Sequence, residues 1–108
     1  MSSMDSPSTA WKKRNPERTR RINRNCRLKR TYGITLLEFE ILLELQGGGC
    51  ALCGTTDQRG LGTHHVDHDH ETGKVRGILC HDCNTGIGSL GDDPARLRAA
   101  AEYLERYL

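Results

Sequence analysis

Hydrophobic side chains between residues 36 and 46 recur at the three- and four-residue spacing of an α-helix. Glu40 and Glu44, four residues apart, mark the side of this helix that faces solvent. The opposite side is predicted to hold its hydrophobic face, which consists of Leu37, Ile41, Leu42 and Leu45.

Residues typical of helix ends flank this segment. Similar residues predict a second helix near the C-terminus. Thr35 followed by Glu38 has the form of a capping box, and three glycines at 47–49 end the helix. Asp93 before Pro94 predicts another helix start, with Asp as the cap and Pro at the first position. A hydrophobic stripe then continues along the chain at Leu97, Ala101, Leu104 and Leu108.

The central segment has strand character. Residues 64–67 and Val75–Leu79 are predicted to form two strands, joined by a loop that turns at Gly73. A short helix is expected to begin near Asn84 and to end around Gly91. The pattern as a whole predicts an α+β fold.

The N-terminal third is polar. Residues 1–10 are rich in serine and are predicted to be disordered. A helix is predicted for residues 16–30, opened by proline and ended by Gly33. Its only hydrophobic anchors are Ile22 and Leu28.

Composition indicates one small domain with an appended arm. The chain has 108 residues, of which 35% are hydrophobic and 5% aromatic, and so small a core is often supplemented by a metal or a disulfide. No hydrophobic run approaches the ~20 residues that cross a membrane, and the N-terminus does not resemble a signal peptide. We therefore expect a cytoplasmic, reducing setting, in which paired cysteines bind metals.

Charge is unevenly distributed along the chain. Residues 11–32 contain ten basic residues and one acidic residue, a net charge of +9, whereas residues 33–108 carry a net charge of −6. The basic arm predicts a polyanionic partner, nucleic acid above all, and the alternative is a solvated tail. The candidate DNA contacts are Arg18, Arg20, Arg21, Arg24, Arg27, Lys29 and Arg30 in the arm, with Lys74 and Arg76 in the second strand region.

Four of the five cysteines form two pairs of identical spacing. Cys50 and Cys53, and Cys80 and Cys83, are each separated by two residues, which suits a tetrahedral Zn²⁺ with four thiolates. Such a closed site is structural rather than catalytic. Two redox pairs are the alternative, and Cys26 is expected to be a free thiol.

Four of the five histidines lie in residues 64–71. Asp67 offers oxygen ligands for Mg²⁺ or Mn²⁺, and His68 beside it can take a proton from water near neutral pH. Strand alternation places His65 on the same face as Asp67. One alternative is a polar surface loop, and another is a second zinc site formed by His65, Asp67, His68, Asp69 and His70.

Four stretches of sequence together carry a family resemblance over about 45 residues. They are Cys50-Ala-Leu-Cys53-Gly, then His65-Val-Asp67-His68-Asp69-His70-Glu71-Thr-Gly73-Lys-Val-Arg76-Gly77-Ile-Leu-Cys80, then Cys83-Asn84-Thr, and Gly91-Asp92-Asp93-Pro94. This combination resembles the recombination endonuclease VII family of phages, which belongs to the HNH or His-Me finger nucleases.

The resemblance implies a zinc-braced ββα-metal core flanked by helices. It further implies that Asp67 and Asn84 bind the catalytic Mg²⁺ or Mn²⁺ and that His68 is the general base. His65 and His70 would hold the scissile phosphate. Because Asn84 directly follows a zinc-turn cysteine, the structural metal would also position a catalytic ligand.

The implied activity is hydrolysis of DNA, branched or double-stranded, by a Holliday-junction-resolvase-like enzyme of phage recombination, repair or packaging. Residues 33–108 would be the nuclease domain. The best-known family member has a glutamate where this chain has Ile87, and it continues beyond the position of Leu108 with a segment for dimerisation and junction binding. A homodimer is therefore left open, and the basic arm is expected to supply DNA contacts. A zinc-stabilised DNA-binding module and a homing-type HNH nicking nuclease are the alternatives.

Overall fold

The computed structural model describes residues 7–58 and 64–108. These residues form an α+β fold, as the sequence predicts. They fall into two compact units, divided between Ile41 and Leu42, which are described separately. The elements in chain order are α1 (Pro7–Arg14), α2 (Pro16–Tyr32), α3 (Leu36–Leu45), β1 (His65–His68), β2 (Val75–Leu79), α4 (His81–Ser89) and α5 (Pro94–Glu105).

Helix α2 agrees with its prediction. It begins at Pro16 and ends where Gly33 adopts a left-handed conformation and donates its N–H to the Lys29 carbonyl at 3.0 Å. Leu28 is buried, but Ile22 is 50% exposed and does not act as the expected anchor.

Helix α1 departs from the sequence prediction. The sequence predicts disorder up to residue 10, whereas residues 7–14 are helical, and residues 1–6 lie outside the described part. The Asn15 side chain donates to the Trp11 carbonyl at 2.9 Å, so this short helix has a local hydrogen bond at its end.

The capping box of α3 is confirmed. The Glu38 N–H donates to the Thr35 hydroxyl at 3.0 Å, and the Thr35 N–H donates to the Glu38 carboxylate at 2.8 Å. At the other end, Gly47 and Gly48 have positive φ, and Gly48 donates to the Leu43 carbonyl at 2.8 Å in a Schellman arrangement.

The buried side of α3 is not the predicted one. Leu36 and Phe39 are buried, whereas three members of the predicted face, Leu37, Ile41 and Leu45, are 65%, 49% and 79% exposed. Periodicity fails here because seven of the ten residues of the helix are hydrophobic and lie on nearly every side.

Local contacts from α2 determine which side of α3 is buried. The Arg24 guanidinium lies 4.7 Å from the centre of the Phe39 ring. The Leu36 N–H donates to the Asn25 side chain at 2.8 Å. The face bearing Leu36 and Phe39 is therefore the one turned towards these α2 residues.

Strands β1 and β2 form an antiparallel hairpin, with β1 one residue later than predicted. Asp67 lies opposite Gly77, and His68 lies opposite Val75. Arg76 between them has no residue opposite it, so the hairpin contains a β-bulge at this point. The predicted turn at Gly73 is confirmed by its φ of 75°.

The last two helices follow their caps. Helix α4 begins at His81, three residues before the predicted start, because the Cys80 sulfur caps it by accepting the Cys83 N–H at 3.4 Å. Helix α5 begins at Pro94 as predicted, and the Asp93 carboxylate accepts the Ala95 N–H at 2.9 Å.

The hydrophobic stripe predicted after Asp93 is not buried along its second half. Leu104 is 65% exposed, and Leu108 lies beyond the end of α5 and is fully exposed. In the hairpin, Val66, Ile78 and Leu79 are buried instead, and Leu79 packs with Cys50 and Cys80. Helix α4 packs against β1, and its Ile87 packs against the cluster that contains Leu79. No helix in the described ranges is long and hydrophobic enough to span a bilayer.

Candidate active site

The four paired cysteines converge. Their sulfur atoms all lie within 4.8 Å of one another, and the sulfurs of Cys53 and Cys80 are 3.8 Å apart. Backbone N–H groups of Leu52 and Cys83 each point at a cysteine sulfur at 3.4 Å. Sulfurs held together in this way fit a tetrahedral Zn²⁺, the ion that four-cysteine sites usually bind.

The thiols of this cluster are not equivalent. Burial raises the pKa of Cys50, but N–H donors from Cys53, Cys80 and Leu52 outweigh it and lower the pKa to about 6. Burial and the neighbouring sulfurs raise the pKa of Cys83. Four adjacent sulfurs therefore resist full ionisation unless a cation balances their charge, which is the usual coupling of proton release to metal binding.

The cysteine turns are built into the hydrophobic core. Cys50, Leu79 and Cys80 form a buried cluster against which Cys83 and Ile87 pack. Ile87 stands where the resemblance placed a glutamate, and the structure gives this side chain a packing role.

A glutamine that the sequence did not single out joins the first cysteine turn to β2. The Gln46 amide nitrogen donates to the carbonyls of Gly49 and Ile78, each at 2.7 Å, and its oxygen accepts the Ile78 N–H at 3.1 Å. The Ala51 N–H also reaches the Ile78 carbonyl at 3.0 Å. The Gln46 side chain thereby makes the hydrogen bonds to Ile78 that a third strand beside β2 would make.

Asp67 lies in a charged network at the bulge. Its carboxylate accepts two hydrogen bonds from Arg76, from Nε at 2.8 Å and from Nη2 at 2.9 Å. The same guanidinium donates to Asp92 through Nη1 at 2.9 Å and Nη2 at 3.0 Å. Only 15% of the Asp67 side chain is exposed. The predicted metal ligand is thus already in contact with a positive charge.

The predicted histidines lie on both sides of Asp67 along the chain. The rings of His68 and His70 are 4.8 Å apart, and those of His65 and His81 are 5.5 Å apart. His65 Nε2 is buried and has no hydrogen-bond partner among the described residues.

Asn84 lies in the first turns of α4, and its N–H donates to the Cys80 carbonyl at 3.0 Å. The helix that bears Asn84 packs against β1, the strand that bears Asp67 and His68. This places the predicted ligands and base on adjoining elements beside the cysteine cluster. Their catalytic roles stay predictions.

Asp69 has a structural role in the hairpin loop. Its carboxylate accepts the N–H groups of Glu71 at 2.8 Å and Thr72 at 3.1 Å. These hydrogen bonds, that of Thr72 foremost, lower the pKa of Asp69. In the described ranges, the only group of three or more Cys, His, Asp or Glu residues with converging ligand atoms is the cysteine cluster, so the alternative of a second zinc site is not supported.

The basic residues of α2 divide into two groups. Arg21 pairs with Glu40 at 3.1 Å, and Arg24 packs over Phe39, where burial lowers the pKa of its guanidinium. The remaining predicted DNA contacts of the helix are exposed, namely Arg18, Arg20, Arg27, Lys29 and Arg30. Lys74 is also exposed, and Cys26 is an exposed free thiol as predicted.

Comparison with known proteins gives one consistent result. The model of the recombination endonuclease VII family matches residues 25–106. The "Gene 59 protein" of Mycobacterium phage D29 is 44% identical over 84 residues, 74% of this chain and 48% of the relative. That of Mycobacterium phage L5 is 44% identical over 82 residues, 72% of this chain and 48% of the relative.

A solved structure has the same fold. The crystal structure of the ββα-Me type II restriction endonuclease Hpy99I superposes with a TM-score of 0.50 and 32% sequence identity, covering 79% of this chain and 49% of that one. The chain spans about half the length of the relatives it matches. The expected ββα arrangement is confirmed by β1, β2 and α4. On this evidence the chain belongs to the recombination endonuclease VII family.

Proposed function

We propose that this chain is a DNA endonuclease that hydrolyses phosphodiester bonds with a bound divalent cation. One observation carries the proposal: β1, with Asp67 and His68, packs against α4, with Asn84, beside four converging cysteine sulfurs. Membership of the endonuclease VII family and the likeness to a ββα-Me nuclease support the same reaction.

The site offers a suitable ligand set for Mg²⁺ or Mn²⁺. These ions commonly bind through one or two carboxylates and complete their coordination with water and substrate phosphate. Asp67 would provide a carboxylate and Asn84 an amide oxygen. The observed ion pair between Asp67 and Arg76 supports the fit, because it shows the carboxylate in contact with a positive group. When bound, the ion would stabilise negative charge on the phosphate and its leaving oxygen.

The protein groups have separate tasks in this proposal. His68 would take the proton from the attacking water, a role that suits an imidazole near neutral pH. His65 and His70 would hold the scissile phosphate. Cys50 and the other three paired cysteines would hold Zn²⁺ and, through the start of α4, position Asn84.

The proposed substrate is double-stranded DNA that is branched or otherwise distorted. The exposed basic residues of α2 support a nucleic-acid partner, because phosphate neutralisation dominates the affinity of proteins for DNA. The relatives named above support a role in phages.

The test is a cleavage panel of four-way, three-way, flap and linear DNA, each with and without Mg²⁺. We expect cutting that needs Mg²⁺ and is strongest on branched DNA. Omitting Mg²⁺ is a better control than adding EDTA, since a chelator can also remove a structural zinc.

A variant at His68 separates catalysis from binding. His68→Ala should lower the cleavage rate by about 10²–10⁴-fold, the usual contribution of a general base, and should leave zinc content and DNA affinity unchanged. Binding of all four DNAs by the wild-type protein without cleavage of any would instead identify a zinc-stabilised DNA-binding module.

A further inference from the structure

Arg76 contacts two carboxylates at once. Its guanidinium forms two hydrogen bonds with Asp67 and two with Asp92, all between 2.8 and 3.0 Å. Pairing of this kind is directional, and it uses the planar geometry that distinguishes arginine from lysine. The hydrogen bonds to Asp67 and then Asp92 raise the pKa of Arg76 above its ordinary value.

The β-bulge makes the contact with Asp67 possible. In a regular antiparallel pair Asp67 would share a face of the hairpin with Gly77, and the next residue, Arg76, would point to the other face. Because Arg76 is the extra residue of the bulge, the alternation is broken there and its side chain reaches the Asp67 carboxylate.

Asp92 is held in place independently of Arg76. It is the one described residue other than glycine with positive φ, 57°, and its N–H donates to the Ile87 carbonyl at 2.9 Å. This anchors the turn before α5 to α4. Asp92 would therefore keep a guanidinium near the site even when the guanidinium had left Asp67.

We propose that Arg76 occupies the Asp67 carboxylate in place of the divalent cation, and that it moves to the DNA phosphate when substrate and cation bind. This inference rests on the proposed function, since it takes Asp67 to be a cation ligand. Arg76 is then a positioning residue that makes the cation site weak without DNA and stronger with it.

Charge explains why Arg76 should weaken cation binding at Asp67 in the absence of DNA. A guanidinium in contact with Asp67 repels a second cation at the same oxygens, and Asp92 partly offsets that repulsion. An arriving phosphodiester offers Arg76 another anion, to which arginine forks bind well. Transfer of the guanidinium to phosphate would free the lone pairs of Asp67 and remove the competition.

The experiment measures Mn²⁺ affinity by titration calorimetry and by the electron paramagnetic resonance signal of free Mn²⁺, on zinc-loaded protein without DNA. Arg76→Gln should tighten Mn²⁺ binding by about fivefold or more, the scale of one unit charge a few Å away in a water-rich setting. Asp92→Asn should weaken Mn²⁺ binding. The control is Arg98→Gln, which removes an exposed arginine of α5 and alters the net charge equally.

Competition predicts that Arg76→Gln and Asp92→Asn change Mn²⁺ affinity in opposite directions. If Arg76 only held Asp67 in place, both variants would loosen Asp67 and weaken Mn²⁺ binding. With a non-cleavable phosphorothioate DNA junction present, wild-type protein should bind Mn²⁺ more tightly than without DNA, and Arg76→Gln should show a smaller gain. Mn²⁺ bound by DNA itself is subtracted with the Asp67→Asn variant.

Two further outcomes separate the inference from the proposed function. If Asp67→Asn leaves Mn²⁺ affinity unchanged, the ligand assignment in the proposed function is wrong. If Asp67→Asn abolishes binding but Arg76→Gln fails to tighten it, the proposed function stands and the competition by Arg76 is overturned.

Discussion

Gly49, the residue before the first cysteine turn, is enclosed by backbone atoms. A Cβ atom added at Gly49 would lie 2.5 Å from the Gly54 carbonyl oxygen and 2.8 Å from that of Thr55. Neither contact can be relieved by rotating a side chain. The nearby Cys50 N–H also donates to the Thr55 carbonyl at 2.9 Å, so a shift would disturb a residue of the four-cysteine cluster.

Gly49→Ala should therefore lower the free energy of unfolding by about 1–3 kcal/mol, as overpacking generally does, and should weaken zinc retention. Chemical denaturation and competition for zinc with a chromogenic chelator would measure the two effects. Gly88→Ala is the matched control, since a Cβ there meets no heavy atom within 4 Å; alanine in that helix should be neutral or slightly stabilising. Equal stability of the two variants would contradict the close packing described at Gly49.

At the scale of elements, the connection between the first cysteine turn and β2 depends on Gln46. Gln46→Ala would leave the Ile78 N–H without this acceptor and the Gly49 carbonyl without this donor. An unsatisfied buried group costs about 1–3 kcal/mol, so the two groups together should lower the free energy of unfolding, measured with denaturant, by about 2–6 kcal/mol. Hydrogen exchange at Ile78 should also accelerate.

Gln58→Ala provides the comparison for this prediction, because Gln58 is an exposed glutamine in the same unit. Its substitution should leave the denaturation midpoint within experimental error. A Gln46→Ala protein as stable as Gln58→Ala would mean that water replaces the three hydrogen bonds at no cost.

Elements whose signals are local in sequence are predicted well. The capping box of Thr35 and Glu38 and the start of α5 at Asp93 and Pro94 involve residues at most three apart. The buried face of α3 is predicted wrongly because its hydrophobic residues surround the helix. The early start of α4 is missed because the cap is the sulfur of Cys80.

In the candidate site, too, features that are local in sequence are predicted, and contacts between distant residues are not. The equal spacing of the cysteine pairs predicts a cluster, and the sulfurs do converge. The network of Asp67, Arg76 and Asp92 joins residues 9 and 16 positions apart and depends on the strand register, so no local pattern could reveal it. The sequence predicts Arg76 as a DNA contact, and that role stays a prediction.

For the whole molecule, the uneven charge predicts how DNA affinity depends on salt. The exposed basic residues of α2 have no described role in packing, unlike Arg21 and Arg24. Replacing the exposed set together with glutamine should weaken DNA binding and flatten its dependence on salt concentration, by about 0.9 in the log–log slope for each phosphate that the helix no longer neutralises. The set is Arg18, Arg20, Arg27, Lys29 and Arg30.

Fluorescence anisotropy with a labelled DNA junction over a salt series measures both quantities. The control replaces Arg96, Arg98 and Arg106, exposed arginines outside α2, with glutamine. A slope unchanged by the α2 substitutions would mean that this helix does not contact phosphate.

The bulge at Arg76 also constrains the length of the gene segment that encodes the hairpin. Loss of one codon at position 76 would leave a hairpin of regular register, in which His68 could stay opposite Val75 and Asp67 opposite Gly77. Such a protein could fold and retain its four-cysteine cluster, yet it would lack the guanidinium beside Asp67. A sequence alignment that closes this one-residue gap would still pair the two strands correctly, but it would hide the loss of the Arg76 charge.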